Sequence, residues 1–263
     1  MQSISDWLHG LPLEWMAVVV FGFTFLVAAA IYAGVRSLAT GTRVKSFRAV
    51  SPGMLSPLGV LFWPFVAFTA AQVWSDNDKA QNAVIHEASA LRAVAILATA
   101  FPESERHIRA LIDSHIQNAV AQEWPMMANR TASLAIIPQS LAEAVQTTLA
   151  LTPTNSGQQV AQRRIVAQLE TAFEARRERV LISSSQISLL KWMCILVVAI
   201  CTLIAIAIVH SDDRLAAAIT MGIFGMGIAA SVLLITAFDR PFIGQFAVRP
   251  QPLLQVMPDT QNQ

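Results

Sequence analysis

Residues 55–74 read LSPLGVLFWPFVAFTAAQVW, twenty residues without a charge, and run straight into SDNDKAQNAVIHEASALRAVAILATA, which ends at residue 100. A hydrocarbon core about 30 Å thick needs about 20 consecutive apolar residues in a helix, so the first stretch is long enough to cross it. The second stretch keeps apolar or small residues at three- and four-residue steps, Ala80, Val84, Ala88, Leu91, Ala95 and Ala98, the period of a helix with one buried face. The two together predict one long helix that leaves the bilayer, continues in water and stops at Pro102.

Three other stretches have the same apolar character. Trp15–Val35 (WMAVVVFGFTFLVAAAIYAGV) carries no charge, and Leu189–Val209 carries only Lys191 at its edge. Leu215–Phe238 follows directly after His210–Arg214, so the last two spans form a tight helical hairpin. Composition agrees: 54% of the 263 residues are hydrophobic, 13% are charged and the mean hydropathy is +0.52. An ordinary soluble domain has about 45–50% apolar and about 25% charged residues. The opening MQSISDWLHGLPLE holds no Lys or Arg, so a secretory signal is not expected and the first span is read as retained. Trp7, Trp15, Trp74 and Trp192 stand near span ends, where amphipathic rings meet headgroups. Trp63, beside Pro64 in mid-span, is the exception, and Pro64 is expected to kink its helix.

Ser75–Ser188 hold ten basic and eleven acidic residues and form the aqueous domain. Its helices are expected at about Glu103–Met127, with Ile108, Leu111, Ile112, His115, Ile116 and Trp124 on one face, from Pro138 through Leu149, and at about Ser156–Leu181 on Val160, Ile165, Val166, Leu169 and Phe173. The tail from Asp239 contains four prolines and is read as an extended strap on the aqueous domain. The expected architecture is an all-α membrane protein with four transmembrane helices and a helical aqueous domain between spans 2 and 3. Its parts are an N-terminal segment 1–14, spans at 15–74, the domain at 75–188, spans at 189–238 and the tail at 239–263.

Several functional classes are disfavoured. A net charge of +1 argues against a nucleic-acid partner. Cys194 and Cys201 lie roughly 10 Å apart along one helix, too far for a disulfide, and the five scattered histidines lack zinc-site spacing. No span holds an Asp pair or a His-Glu-x-x-His motif, and Gly157 is the one glycine of the aqueous domain, so no phosphate loop exists. We therefore expect no enzyme, no cofactor and no metal.

Leu61, Phe65 and Phe68 share one face of the second span, with Gln72 a turn further on, a pattern suited to helix packing or to an apolar pore neck that gates by dewetting. Ala218, Gly222, Gly225 and Ala229 form a small-residue stripe for close helix packing, against the third span or a neighbouring subunit. Glu87, Glu123 and the group Arg176, Arg177 and Arg179 are read either as salt bridges and solvated faces, or as a vestibule lined by Glu87 with the arginine group paired with it or near lipid phosphate. Positive charge leaves the sidedness contested: Arg36, Arg43, Lys45 and Arg48 follow the first span, whereas Lys79, Arg176, Arg177, Arg179, Arg240 and Arg249 flank the domain side.

The order Trp74, Glu87-Ala88, Glu123-Trp124, Ala175-Arg176-Arg177, then Asp239-Arg240-Pro241-Phe242 and Gly244 resembles the bacterial bestrophin-like family of membrane proteins, over roughly Leu55–Leu254. That family is distantly similar to bestrophins, pentameric ion channels with a pore lined by the second span and a cytoplasmic domain between spans two and three. The resemblance implies a homo-oligomer, a pentamer, in the lipid bilayer of a bacterial inner membrane, passing inorganic ions, anions as the first expectation. Its neck would come from Leu61, Phe65 and Phe68. The tail's only acids are Asp239 and Asp259, so the calcium-binding acidic cluster of animal bestrophins has no counterpart. The rival reading is a non-conducting scaffold or sensor whose aqueous helices bind a partner protein. The two-plus-two layout is also similar to that of flagellar-motor stator subunits, whose functional residues are not recognisable here.

Overall fold

The computed structural model describes residues 11–39, 53, 55–185 and 187–256. Trp7, Arg43, Lys45, Arg48 and Asp259, on which the readings of the first segment, the first loop and the tail partly rest, lie outside the described residues. Helix α1 spans Leu13–Leu38 and α2 spans Leu55–Leu97, continuous through Pro64 and followed by a 3-10 turn at Ala98–Ala100. Then come α3 (Pro102–Asn118), a π-helical turn (Ala119–Glu123), α4 (Trp124–Ala128), α5 (Gln139–Leu149) and α6 (Ser156–Ser183). Helices α7 (Leu189–Val209), α8 (Arg214–Phe238) and the short α9 (Gln251–Leu254) follow. No strand occurs among the described residues, and α1, α2, α7 and α8 are long and apolar enough to cross a membrane. This is an all-α membrane protein with a helical domain inserted between its second and third spans.

The chain divides into two compact units. The first holds α1, α2 as far as Ser75, α7, α8 and residues 244–246. Phe62, Val66, Ala70 and Val73 of α2, Ile195, Ala199 and Leu203 of α7, and Met221, Ile228 and Ile235 of α8 build its core. Phe62 meets Trp63 and Phe224 at ring distances of 5.2 and 5.4 Å. Thr24, Thr69, Thr202 and Ser231 each donate to the carbonyl four residues back, so these hydroxyls are satisfied without water. The hairpin closes at Asp213, whose carboxylate accepts from the Leu215 and Ala216 amides and caps α8.

The small-residue stripe is corrected in part. Ala229 is buried against Met16 and Val20 of α1, and a side chain at Gly225 would touch Phe25 at 3.6 Å, so the partner is the first span. Ala218 is exposed and Gly222 faces open space. The reason is phase: α8 buries Ala217, Met221, Gly225, Ile228 and Ala229, and Ala218 and Gly222 lie off that stripe.

The second unit holds residues 76–185, Arg240–Ile243 and the chain from Ala247. Its core joins Val84, Leu91 and Val94 of α2, Ile108, Ile112 and Ile116 of α3, Leu141 and Ala144 of α5, and Ile165 and Leu169 of α6. The expected face of α6 is corrected in part, since Ile165 and Leu169 are fully buried as expected. Val160 is exposed and Val166 and Phe173 are only partly buried, while Ala161, Ala172 and Ala175 are buried. Alanine lets helices approach closely but carries little hydropathy signal of its own. Over its described residues the tail is not an extended strap: it makes turns, bonds the Val248 amide to the Pro241 carbonyl, and forms α9, whose Leu253 is buried in this core.

Candidate functional site

The face of α2 opposite its packed stripe is bare. Leu61, Phe65 and Phe68 are 54%, 43% and 77% exposed, whereas Phe62 and Val66, one residue on from Leu61 and Phe65, are buried. Gln72 stands apart from these three: it is half-buried and accepts a hydrogen bond from Lys191 of α7.

In the second unit, side chains from α2, α3, the π-helical turn, α4 and α6 converge on a largely buried ionic cluster. Glu87 of α2 and Arg179 of α6 are both completely buried. Arg179 Nε donates to Glu87 Oε2 at 2.8 Å, and its Nη2 reaches Glu87 Oε1 at 3.2 Å and Glu123 Oε2 at 2.9 Å. Its Nη1 meets Met127 Sδ at 3.5 Å, and its guanidinium carbon lies 4.7 Å from the centre of the Trp124 ring, a cation–π distance. One turn earlier on α6, Arg176 donates from Nε to Glu123 Oε1 at 2.7 Å and from Nη2 to the Ile136 carbonyl at 3.1 Å. His115 of α3, 1% exposed, places Nε2 at 2.9 Å from Glu87 Oε1.

Ile116, Ala119, Glu123 and Met127 recur at three- and four-residue steps, so one inward face runs on through the π-helical turn and carries Glu123, Trp124 and Met127 to the cluster. Burial pushes the Glu87 carboxyl upward, but the Arg179 charge beside it and the bond from His115 prevail and hold it at about 2, below its ordinary 4.5. Burial likewise works against the Arg179 charge, and the two carboxylates overcome it and raise its affinity for its proton.

The vestibule reading of Glu87 is therefore corrected: its carboxylate has no exposed surface, because arginine and histidine take all the space around it. Arg177 is exposed on the outer side of α6, away from the cluster. Trp124 donates to the Val248 carbonyl at 3.2 Å and meets the buried Phe242 edge-on at 5.8 Å, so the tail seals the cluster's aromatic side. Arg240 and Pro241 line a shallow, open depression with Met127, Arg130, Ser183 and Phe242. Gly244 has φ 87°, a backbone conformation glycine adopts at no steric cost. Asp239, in the first unit, accepts from the Ile187 amide at 3.2 Å. Among the described residues no group of His, Cys, Asp and Glu has the arrangement of a metal site.

The family model for the bestrophin-like domain matches residues 22–253. The chain belongs to the bestrophin-like family. Comparisons with curated proteins and with solved structures find no significant match. Within this bestrophin-like chain, the motif residues Glu87, Glu123, Trp124 and Arg176 come together in one cluster, and Phe242 closes on its Trp124. Sequence reasoning missed His115 as a partner of Glu87 and Met127 as a partner of Arg179. The helical period puts His115 on the buried face of α3, and a histidine on an otherwise aliphatic face is the available signal for a buried polar contact.

Proposed function

We propose that this protein is an ion channel in which α2 helices of several copies, five by analogy with bestrophins, surround a central pathway. Leu61, Phe65 and Phe68 form its apolar neck. The observation that carries the reading is the bare α2 face at these three residues, on a helix whose opposite face is packed, in a member of the bestrophin-like family. A ring of such side chains controls ion passage by excluding water when the neck is narrow. Anions are the first candidates for transport, the membrane is the bacterial inner membrane, and the aqueous unit faces the cytoplasm. The reading assigns no catalysis and no cofactor to the chain.

The test is halide and potassium flux into liposomes holding the purified protein, with wild type compared to Phe65→Ala and Phe68→Ala. Flux that rises in both variants supports the neck. A neck of aromatic rings also passes weakly hydrated ions more readily than strongly hydrated ones, and equal permeability to small and large halides would refute it. Absence of flux in every version, with folded protein and intact oligomer, would transfer the chain to the scaffold class.

A further inference from the structure

We propose that the backbone carbonyl of Val60, set free by Pro64, is a water-binding site within the neck stretch of α2, and that water held there keeps the apolar neck wettable. Proline has no N–H, so the bond that the Val60 carbonyl would accept from residue 64 cannot form, and the pyrrolidine ring pushes that oxygen aside. Val60 is 66% exposed and Pro64 is exposed too. The oxygen between them therefore lies on the bare face of α2, between Leu61 and Phe65 along the helix. The hydroxyls nearby are engaged elsewhere. Thr69 donates to the Phe65 carbonyl, and Ser231 of α8, one turn beyond the Gly227 that packs against Trp63, donates to the Gly227 carbonyl. Among the described residues no side chain donates to the Val60 carbonyl.

Val60 and Pro64 lie five and nine residues past Leu55, where the uncharged run begins. At 1.5 Å per residue that is about 8–14 Å into a hydrocarbon core. Lipid tails offer no donor, so a bare peptide oxygen against them carries the full cost of an unmade hydrogen bond. Freed backbone groups at such depth are tolerated where protein covers them or where they line water, and Val60 and Pro64 are not covered. A water molecule supplies the missing donor, and its second O–H and its oxygen remain for a further water or a passing ion. Leu61, Phe65 and Phe68 offer water no hydrogen bond, so a neck of these side chains alone dries readily. One bare carbonyl per copy gives the water column a fixed attachment among them. The effect on conduction rests on the channel reading; the water site itself rests on Pro64 and the exposure around it.

The experiment combines solid-state NMR and flux on the full-length protein in lipid bilayers. Carbonyl-labelled valine with nitrogen-labelled leucine selects the Val-Leu links at 60–61, 180–181 and 232–233, and Val60→Ile, which removes only the first, assigns it. Magnetisation from water protons should reach the Val60 carbonyl in wild type and not the Val232 carbonyl inside α8. In Pro64→Ala the new N–H occupies the oxygen, and the transfer should drop about fivefold or more, the factor that one hydrogen bond makes in an equilibrium. Replacing an interior proline strengthens a helix, so this variant folds. Its ion flux should fall by a similar factor, the opposite sign to Phe65→Ala. Pro64→Gly supplies the same N–H on a softer helix and should lose flux equally. Absence of water transfer to Val60 in wild type while ions flow, or transfer unchanged in Pro64→Ala, overturns the site and leaves the channel. Flux unchanged or raised in Pro64→Ala, or lost there and kept in Pro64→Gly, overturns its part in wetting the neck. Water transfer with no flux in any version, the oligomer intact, keeps the site and removes the channel.

Discussion

Replacing Arg179 with methionine tests the energetics of the cluster most directly. The change keeps an unbranched apolar stem but removes bonds of 2.8 and 3.2 Å to Glu87, one of 2.9 Å to Glu123 and the cation above Trp124. It leaves a completely buried carboxylate at Glu87 with only the His115 donor. Removing one partner of a buried ion pair costs about 3–5 kcal/mol, since the remaining charge keeps its desolvation penalty without the attraction that offset it. Against a typical total of about 5–15 kcal/mol, that is enough to unfold the aqueous unit in part of the population. Pulse proteolysis in detergent across a denaturant series reads this loss. The cost should shrink on acidification, because without Arg179 the Glu87 carboxyl is raised by burial and sheds its charge by taking a proton. Glu87→Gln combined with Arg179→Met should recover much of the stability, with a coupling energy above about 1.5 kcal/mol between two residues in direct contact. A loss below about 1 kcal/mol for Arg179→Met, or additive effects in the double variant, would refute the reasoning.

The Glu87 carboxyl itself gives the wild type a separate acid limb. Its folded value is depressed from 4.5 to about 2, so the stability it contributes is present above 4.5 and is lost as pH falls through that window. At about 1.4 kcal/mol per tenfold change in proton affinity this amounts to roughly 3 kcal/mol. A denaturant midpoint that does not fall between pH 4.5 and 2, or falls equally in Glu87→Gln, would contradict it. In the membrane unit, a Cβ at Gly227 would lie 3.2 Å from the Trp63 ring while one at Gly222 meets nothing within 4 Å. Gly227→Ala should therefore cost about 1–3 kcal/mol by overpacking, and Gly222→Ala should leave the thermal midpoint in detergent unchanged or raised; the reverse order would sink the packing account.

The membrane spans were legible because one physical term dominates there. Leu189–Val209 was expected and observed at the same residues, and the continuation of α2 past Trp74 followed from a helical period that does not lapse at the water boundary. The buried face of α3 was legible for a similar reason, since Ile108, Leu111, Ile112, His115 and Ile116 recur with the helical step. Where small residues carry the packing, the signal fades. On α6 the eye goes to Val160, Val166 and Phe173, but helices close on alanine, and on α8 the visible stripe of small residues lies partly off the phase that meets α1.

The cluster was the least legible part. Glu87 and His115 lie 28 positions apart, Glu87 and Arg179 lie 92 apart, and nothing in AVAQE announces a π turn. Its individual members were visible as acids and arginines near one another in motif order, but pairing is a property of the tertiary fold and periodicity cannot supply it. The contrast with α2 then says which measurements report on what. Every polar atom pairing in the cluster is made within one chain, so variants there change the stability of the single subunit. Among the described residues Leu61, Phe65 and Phe68 are exposed, Phe68 most of all, so truncating Phe68 removes little packing from the folded subunit. A Phe68→Ala variant that unfolds the isolated chain would mean that face is covered from within, and the pore would have to be sought on another helix.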